Sequence, residues 1–82
     1  MEAILVLVGA TTSATRLAKR LSRYGDKRAR VIATPVTFGG SGCSYSVIAS
    51  ENSLDFIKNN LRGISVKGIY KKGSAGDYIA LS

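Results

Sequence analysis

The stretch 29–50, ARVIATPVTFGGSGCSYSVIAS, decides the fold. Its first ten residues, 29–38, are β-branched and aromatic, GGSG at 39–42 breaks the run, and CSYSVIAS at 43–50 resumes it. Two strands joined by a glycine-rich connection read as a hairpin. Pro35 cannot donate to a β-ladder, so the first of these strands is expected at a sheet edge or with a bulge.

On the N-terminal side of the hairpin, residues 3–9 run Ala-Ile-Leu-Val-Leu-Val-Gly without polar alternation. A strand apolar on both faces is expected to be central and covered on both sides. Thr11, Thr12 and Ser13 then offer hydroxyl N-caps to a helix, and Gly25 offers its C-terminal stop. At roughly 100° per residue, Ala14, Leu17, Ala18, Leu21 and Tyr24 share one face of that helix. Arg16, Lys19, Arg20 and Arg23 share the opposite face.

On the C-terminal side, Asn52 or Ser53 is expected to cap a second helix. Leu54, Ile57 and Leu61 form its apolar row, with Phe56 alongside, and Gly63 ends it. Asp55 falls in the first turn, where the helix dipole favours an anion. ISVKGIYKK at 64–72 reads as a fourth strand, and GSAGD at 73–77 as a turn. YIALS at 78–82 either adds a short fifth strand or lies along the surface.

The order strand, helix, strand, strand, helix, strand predicts an α+β ferredoxin-like βαββαβ sandwich, a four-stranded antiparallel sheet with two helices on one face. Right-handed crossovers make the first and third strands central and the second and fourth edges. All 82 residues are expected to form a single domain. One sheet face then lacks a helix cover. Apolar side chains on it imply burial against something else, and a second copy of the chain is the simplest candidate.

Several chemistries are excluded by composition. The chain has one cysteine and no histidine, so an internal disulfide, a zinc site and a Cys–His nucleophile pair are ruled out. No carboxylate pair is evident, and Glu51, Asp55 and Asp77 read as a loop charge, a helix-start residue and a turn former. GGSG does not open a helix and lacks the Lys of a phosphate loop, so it reads as a turn. No cofactor and no metal are implied. No apolar run reaches the ~18–20 residues of a membrane span. AILVLVGA at 3–10 follows Glu2 with no basic segment before it, so it is expected to be a buried strand of a cytoplasmic protein.

Twelve Lys and Arg against five Asp and Glu give a net charge of +7. Seven of the twelve (Arg16, Lys19, Arg20, Arg23, Lys27, Arg28 and Arg30) fall within fifteen positions. Such a field attracts anionic partners without specifying them. Sequence-specific RNA binding on such a fold uses a basic-aromatic third strand. CSYSVIAS has one aromatic and no basic residue, and the Arg16 to Arg23 face is better read as a solvated charged face or a docking face for an acidic protein.

The expected topology brings the 39–44 connection to the end of the sheet that holds Gly9 to Ser13. Cys43 would then stand near the free N–H groups of the first helix, which favour a thiolate over the ordinary thiol of pKa ~8.5. The alternative reading of Cys43 is a small buried residue beside a turn.

Ala33-Thr34-Pro35, a glycine- and serine-containing loop with Ser41-Gly42-Cys43, and the apolar strand after it together resemble a small bacterial family of selenium/sulfur carrier-like proteins. The opening strand with its Thr- and Ser-rich helix start and VKGIYKK at 66–72 are also similar to that family, over roughly residues 3–72, with 73–82 as an extension. The family usually has Gly after the cysteine and a basic residue after Thr-Pro; this chain has Ser44 and Val36.

The resemblance implies a non-enzymatic carrier that holds sulfur or selenium on Cys43 as a persulfide or selenenylsulfide. In that reading Gly40, Ser41, Gly42 and Ser44 shape access, and Thr12 and Ser13 stabilise the anionic chalcogen. Arg16, Lys19, Arg20 and Arg23 dock sulfur or selenium donor and acceptor proteins. A second reading is a homo-oligomeric binding or regulatory module for a small anion, assembled through the sheet face. A third is nucleic-acid binding through the basic first helix.

Overall fold

The computed structural model describes residues 3–35, 38, 45–61, 63–64, 66–72 and 77–81. Among them the chain forms an α+β structure with strands β1 (Ala3–Val8), β2 (Arg30–Ala33), β3 (Tyr45–Ser50), β4 (Val66–Lys72) and β5 (Tyr78–Ala80). Helix α1 (Thr11–Tyr24) follows β1, and a 3-10 turn (Glu51–Ser53) leads from β3 into helix α2 (Leu54–Asn59).

The sheet is antiparallel in the order β2-β3-β1-β4-β5. As expected, β1 and β3 are interior and β3 separates β1 from β2. The sheet has five strands where the core pattern predicts four, and of the two readings of 78–82 the short fifth strand is the one that forms. β5 hydrogen-bonds to β4 with Lys72 opposite Tyr78, so β4 is not an edge. β2 is the edge strand that Pro35 predicts, but it stops at Ala33 and leaves Pro35 outside the ladder. Pro35 has no N–H to give to a ladder, and Thr34 beside it is held by its side chain, Oγ1 to Ser46 Oγ.

Ile4, Val6 and Val8 of β1, Val47 and Ala49 of β3 and Ile69 of β4 point to the helix side. There they pack with Ala14, Leu17 and Leu21 of α1 and Ile57 of α2, which makes both helices cover the same face. Helix α1 ends as its sequence predicts. Gly25 adopts φ 109°, its N–H donates to the Leu21 and Ser22 carbonyls, and Asp26 N–H donates to Leu21. This hydrogen-bonded left-handed stop requires a residue without Cβ strain. Its start is a correction: the N-cap is Ala10, in extended conformation, with no side-chain cap from the hydroxyls that follow.

Helix α2 is shorter than its apolar row predicts, six residues preceded by a 3-10 turn. Its N-cap, Ser53, makes no cap hydrogen bond because its hydroxyl is committed elsewhere.

Leu5 and Leu7 point away from the helices and were expected to be exposed until a second subunit covered them. They are 3% and 2% exposed in the single chain. Tyr70, opposite Leu5, lies on that same face, and its ring folds over Gly68 so closely that a Cβ there would stand 2.8 Å from it. Phe38 packs on Tyr70 and on Tyr78, with ring centroids 4.8 and 4.9 Å apart. Burial of Leu5 and Leu7 therefore does not require a partner subunit.

Candidate functional site

The β1–α1 junction is the structural centre of the candidate site. β1 delivers its chain to Gly9 and Ala10, and α1 begins at Thr11. Gly9, Thr11 and Thr12 are exposed and Ser13 is half-buried. With no side-chain cap and no acidic residue in the first turn, the helix start keeps its positive end open to solvent. Lys67 of β4 adds a full charge there. A Cβ placed on Gly9 would stand 3.3 Å from Lys67 Cε and 3.9 Å from Nζ.

The β2–β3 connection enters and leaves at fixed points. Thr34 Oγ1 and Ser46 Oγ share a hydrogen bond of 2.8 Å, with Ser46 fully buried. Phe38 N–H donates to the Pro35 carbonyl at 3.0 Å, closing a turn before its ring reaches Tyr70 and Tyr78. Tyr45, the second residue after Cys43, opens β3 opposite Val8, the residue before Gly9. Gly40, Ser41, Gly42, Cys43 and Ser44 lie outside the described residues.

The basic helix face is not uniform. Arg16, Lys19 and Arg23 are exposed, whereas Arg20 is half-buried and its Nη1 donates to the Asn60 carbonyl at 2.8 Å. Arg20 thus ties α1 to the end of α2. Tyr24, assigned by periodicity to the buried face, is 55% exposed and stacks on Phe56 with centroids 4.2 Å apart.

Two residues matter that the sequence reading passed over. Lys67 is one; its approach to Gly9 depends on pairing between strands far apart in the chain. Asp26 is the other, buried at 8% exposure. Its carboxylate accepts from Ser53 Oγ at 2.6 Å, Ser50 N–H at 2.9 Å, Ser50 Oγ at 3.0 Å and Arg28 N–H at 2.9 Å. Burial pushes this carboxyl up, but those four hydrogen bonds outweigh it and hold the group below its ordinary 3.8. With its acceptor sites taken, Asp26 is a structural clasp between the α1–β2 loop and the β3–α2 junction.

Among the described residues no group of three or more His, Cys, Asp or Glu is placed to hold a metal ion. No helix among them is long and apolar enough to cross a membrane. No curated protein and no solved structure gives a significant match to the chain. A family model described as "Putative Se/S carrier protein-like" does match, over residues 3–71, a span that contains Cys43 and every element from β1 to all but the last residue of β4. The chain belongs to that Se/S carrier-like family.

Proposed function

We propose that the protein is a carrier of sulfur or selenium, built on a sandwich of the ferredoxin-like type, with Cys43 as the attachment point. The observation that carries this reading is the family match across the segment holding the chain's only cysteine. The geometry of the β1–α1 junction supports it. An uncapped helix start and the Lys67 ammonium favour an anion beside Gly9. The β2–β3 connection that contains Cys43 returns to the sheet at Tyr45, opposite Val8.

The transfer needs no external oxidant. The Cys43 thiolate attacks the terminal sulfur of a donor persulfide, a new S–S bond forms, and the donor's own S–S bond breaks. The donor leaves as a thiolate, and Cys43 keeps the transferred atom as a persulfide. An acceptor thiolate reverses the step. Selenium would follow the same course as a selenenylsulfide. Gly40, Ser41, Gly42 and Ser44 leave room for the donor and acceptor thiols, and Thr12 and Ser13 face the anion. The exposed Arg16, Lys19 and Arg23 present a cationic face to donor and acceptor proteins.

Incubation with a cysteine desulfurase and radiolabelled cysteine tests this reading. The expected result is label on the wild-type chain that a thiol reductant releases, and none on Cys43→Ser. Equal labelling of both chains would refute it.

A further inference from the structure

At the other end of β1 from Gly9, about 17 Å away for a strand of this length, the sheet face opposite the helices is open. Arg30 and Ile48 lie opposite each other there, in line with Leu5, and Ala3 and Lys72 extend the same face. These residues line a cleft of about 430 Å3 together with Lys27 and Arg28 from the α1–β2 loop. Its floor is aliphatic and its rim carries four cations.

None of these four cations forms an ion pair with another described residue. Asp26, next to Lys27 in the chain, spends its carboxylate on Ser50, Ser53 and the Arg28 N–H. Glu51 pairs with Lys71, on the opposite face of β4, at 3.2 Å. Four like charges around one cleft repel each other, and an anionic occupant relieves that repulsion.

The lining selects among anions. Among the described residues no aromatic side chain lines the cleft, so they offer no ring on which a nucleobase could stack. Ala3 and Ile48 suit aliphatic groups instead. A second copy of the chain brings its own charge of +7 and is repelled. The lining crosses the sheet from Arg30 of β2 over Ile48 and Ala3 to Lys72 of β4, a path that an extended segment can follow.

We propose that this cleft docks an extended acidic segment of a partner protein, one in which carboxylates alternate with aliphatic side chains. Carboxylates meet Lys27, Arg28, Arg30 and Lys72, and aliphatic groups reach the Ala3 and Ile48 floor. The site is remote from the β1–α1 junction and does not depend on what Cys43 carries.

The test is fluorescence anisotropy with a labelled peptide of alternating Glu and Leu, beside labelled oligouridylate, on the full chain. The peptide should bind with an affinity that falls as salt rises. Arg30→Glu should weaken it by about fivefold or more, and Lys58→Glu, an equal change of net charge on α2, by less than about twofold. Arg30→Ala with Lys72→Ala should also weaken binding, and decides the matter if Arg30→Glu fails to fold. Equal losses from Arg30→Glu and Lys58→Glu, unchanged binding in the alanine pair, or tighter binding of oligouridylate than of the peptide would each overturn the proposal.

Discussion

Ser53 Oγ donates to Asp26 Oδ2 at 2.6 Å across 27 positions of sequence. This bond shapes two elements at once. It removes Ser53 from capping α2, and it fixes the loop that carries Lys27 and Arg28. Asp26→Asn would turn an amide donor toward groups that already donate. The expected cost is about 2–3 kcal/mol, read by urea unfolding at neutral pH.

The same carboxylate sets an acid dependence. Its folded-state pKa lies below the ordinary 3.8. Its stabilisation is therefore complete above the ordinary value and is lost as pH falls through the lower folded value. Unfolding free energy should drop with acid below about pH 4 in the wild type, and less steeply in Asp26→Asn. Equal slopes in the two proteins would show that other carboxyls dominate.

Gly68 is a packing glycine. A methyl group there would meet the Tyr70 ring at 2.8 Å, and Phe38 packs against that ring. Gly68→Ala should cost about 1–3 kcal/mol, as overpacking does. In a Tyr70→Ala background the same change should cost far less. A double-mutant cycle checks this, and additivity of the two changes would contradict the account.

Arg20 separates a structural cation from solvated ones. Reversing Arg16 or Arg23 to Glu should leave the melting temperature nearly unchanged, since both are exposed. Arg20→Glu should lower it, because the Asn60 carbonyl loses its donor and gains a nearby anion. Equal melting temperatures would mean that this hydrogen bond contributes nothing.

Lys67 tests the electrostatics of the β1–α1 junction. If its ammonium and the open start of α1 favour a thiolate at Cys43, Lys67→Met should slow iodoacetamide alkylation at neutral pH. Lys58→Met, on α2, should not. Identical rates in wild type and Lys67→Met would remove Lys67 from the site.

Much of this arrangement is readable from local patterns. The unbroken run from Ala3 to Val8 marks an interior strand, and the periodicity of α1 with Gly25 marks its face and its end. The 29–50 hairpin then dictates that β3 lies between β1 and β2. What local patterns miss depends on distant partners. Asp26 reads as one acid in a basic loop until Ser50 and Ser53 fold onto it. α2 reads as longer because its apolar row continues to Leu61, past the end of the helix at Asn59. β5 is three residues long, too short for its pattern to choose between a strand and a surface segment, and its pairing with β4 makes the choice. For the candidate site, the lone cysteine and the Thr-Pro pair are visible in sequence. The Thr34–Ser46 bond and the approach of Lys67 to Gly9 are not, because each joins separate strands.

The central claim is that Cys43 carries a chalcogen atom in the cell. Intact-mass and peptide mass spectrometry of protein freshly purified without reductant tests it directly. The account predicts a fraction of chains heavier by one sulfur or selenium atom, with the addition on the peptide containing Cys43, reversed by dithiothreitol and absent from Cys43→Ser. Chains at the unmodified mass alone, from cells supplied with both sulfur and selenium, would contradict it.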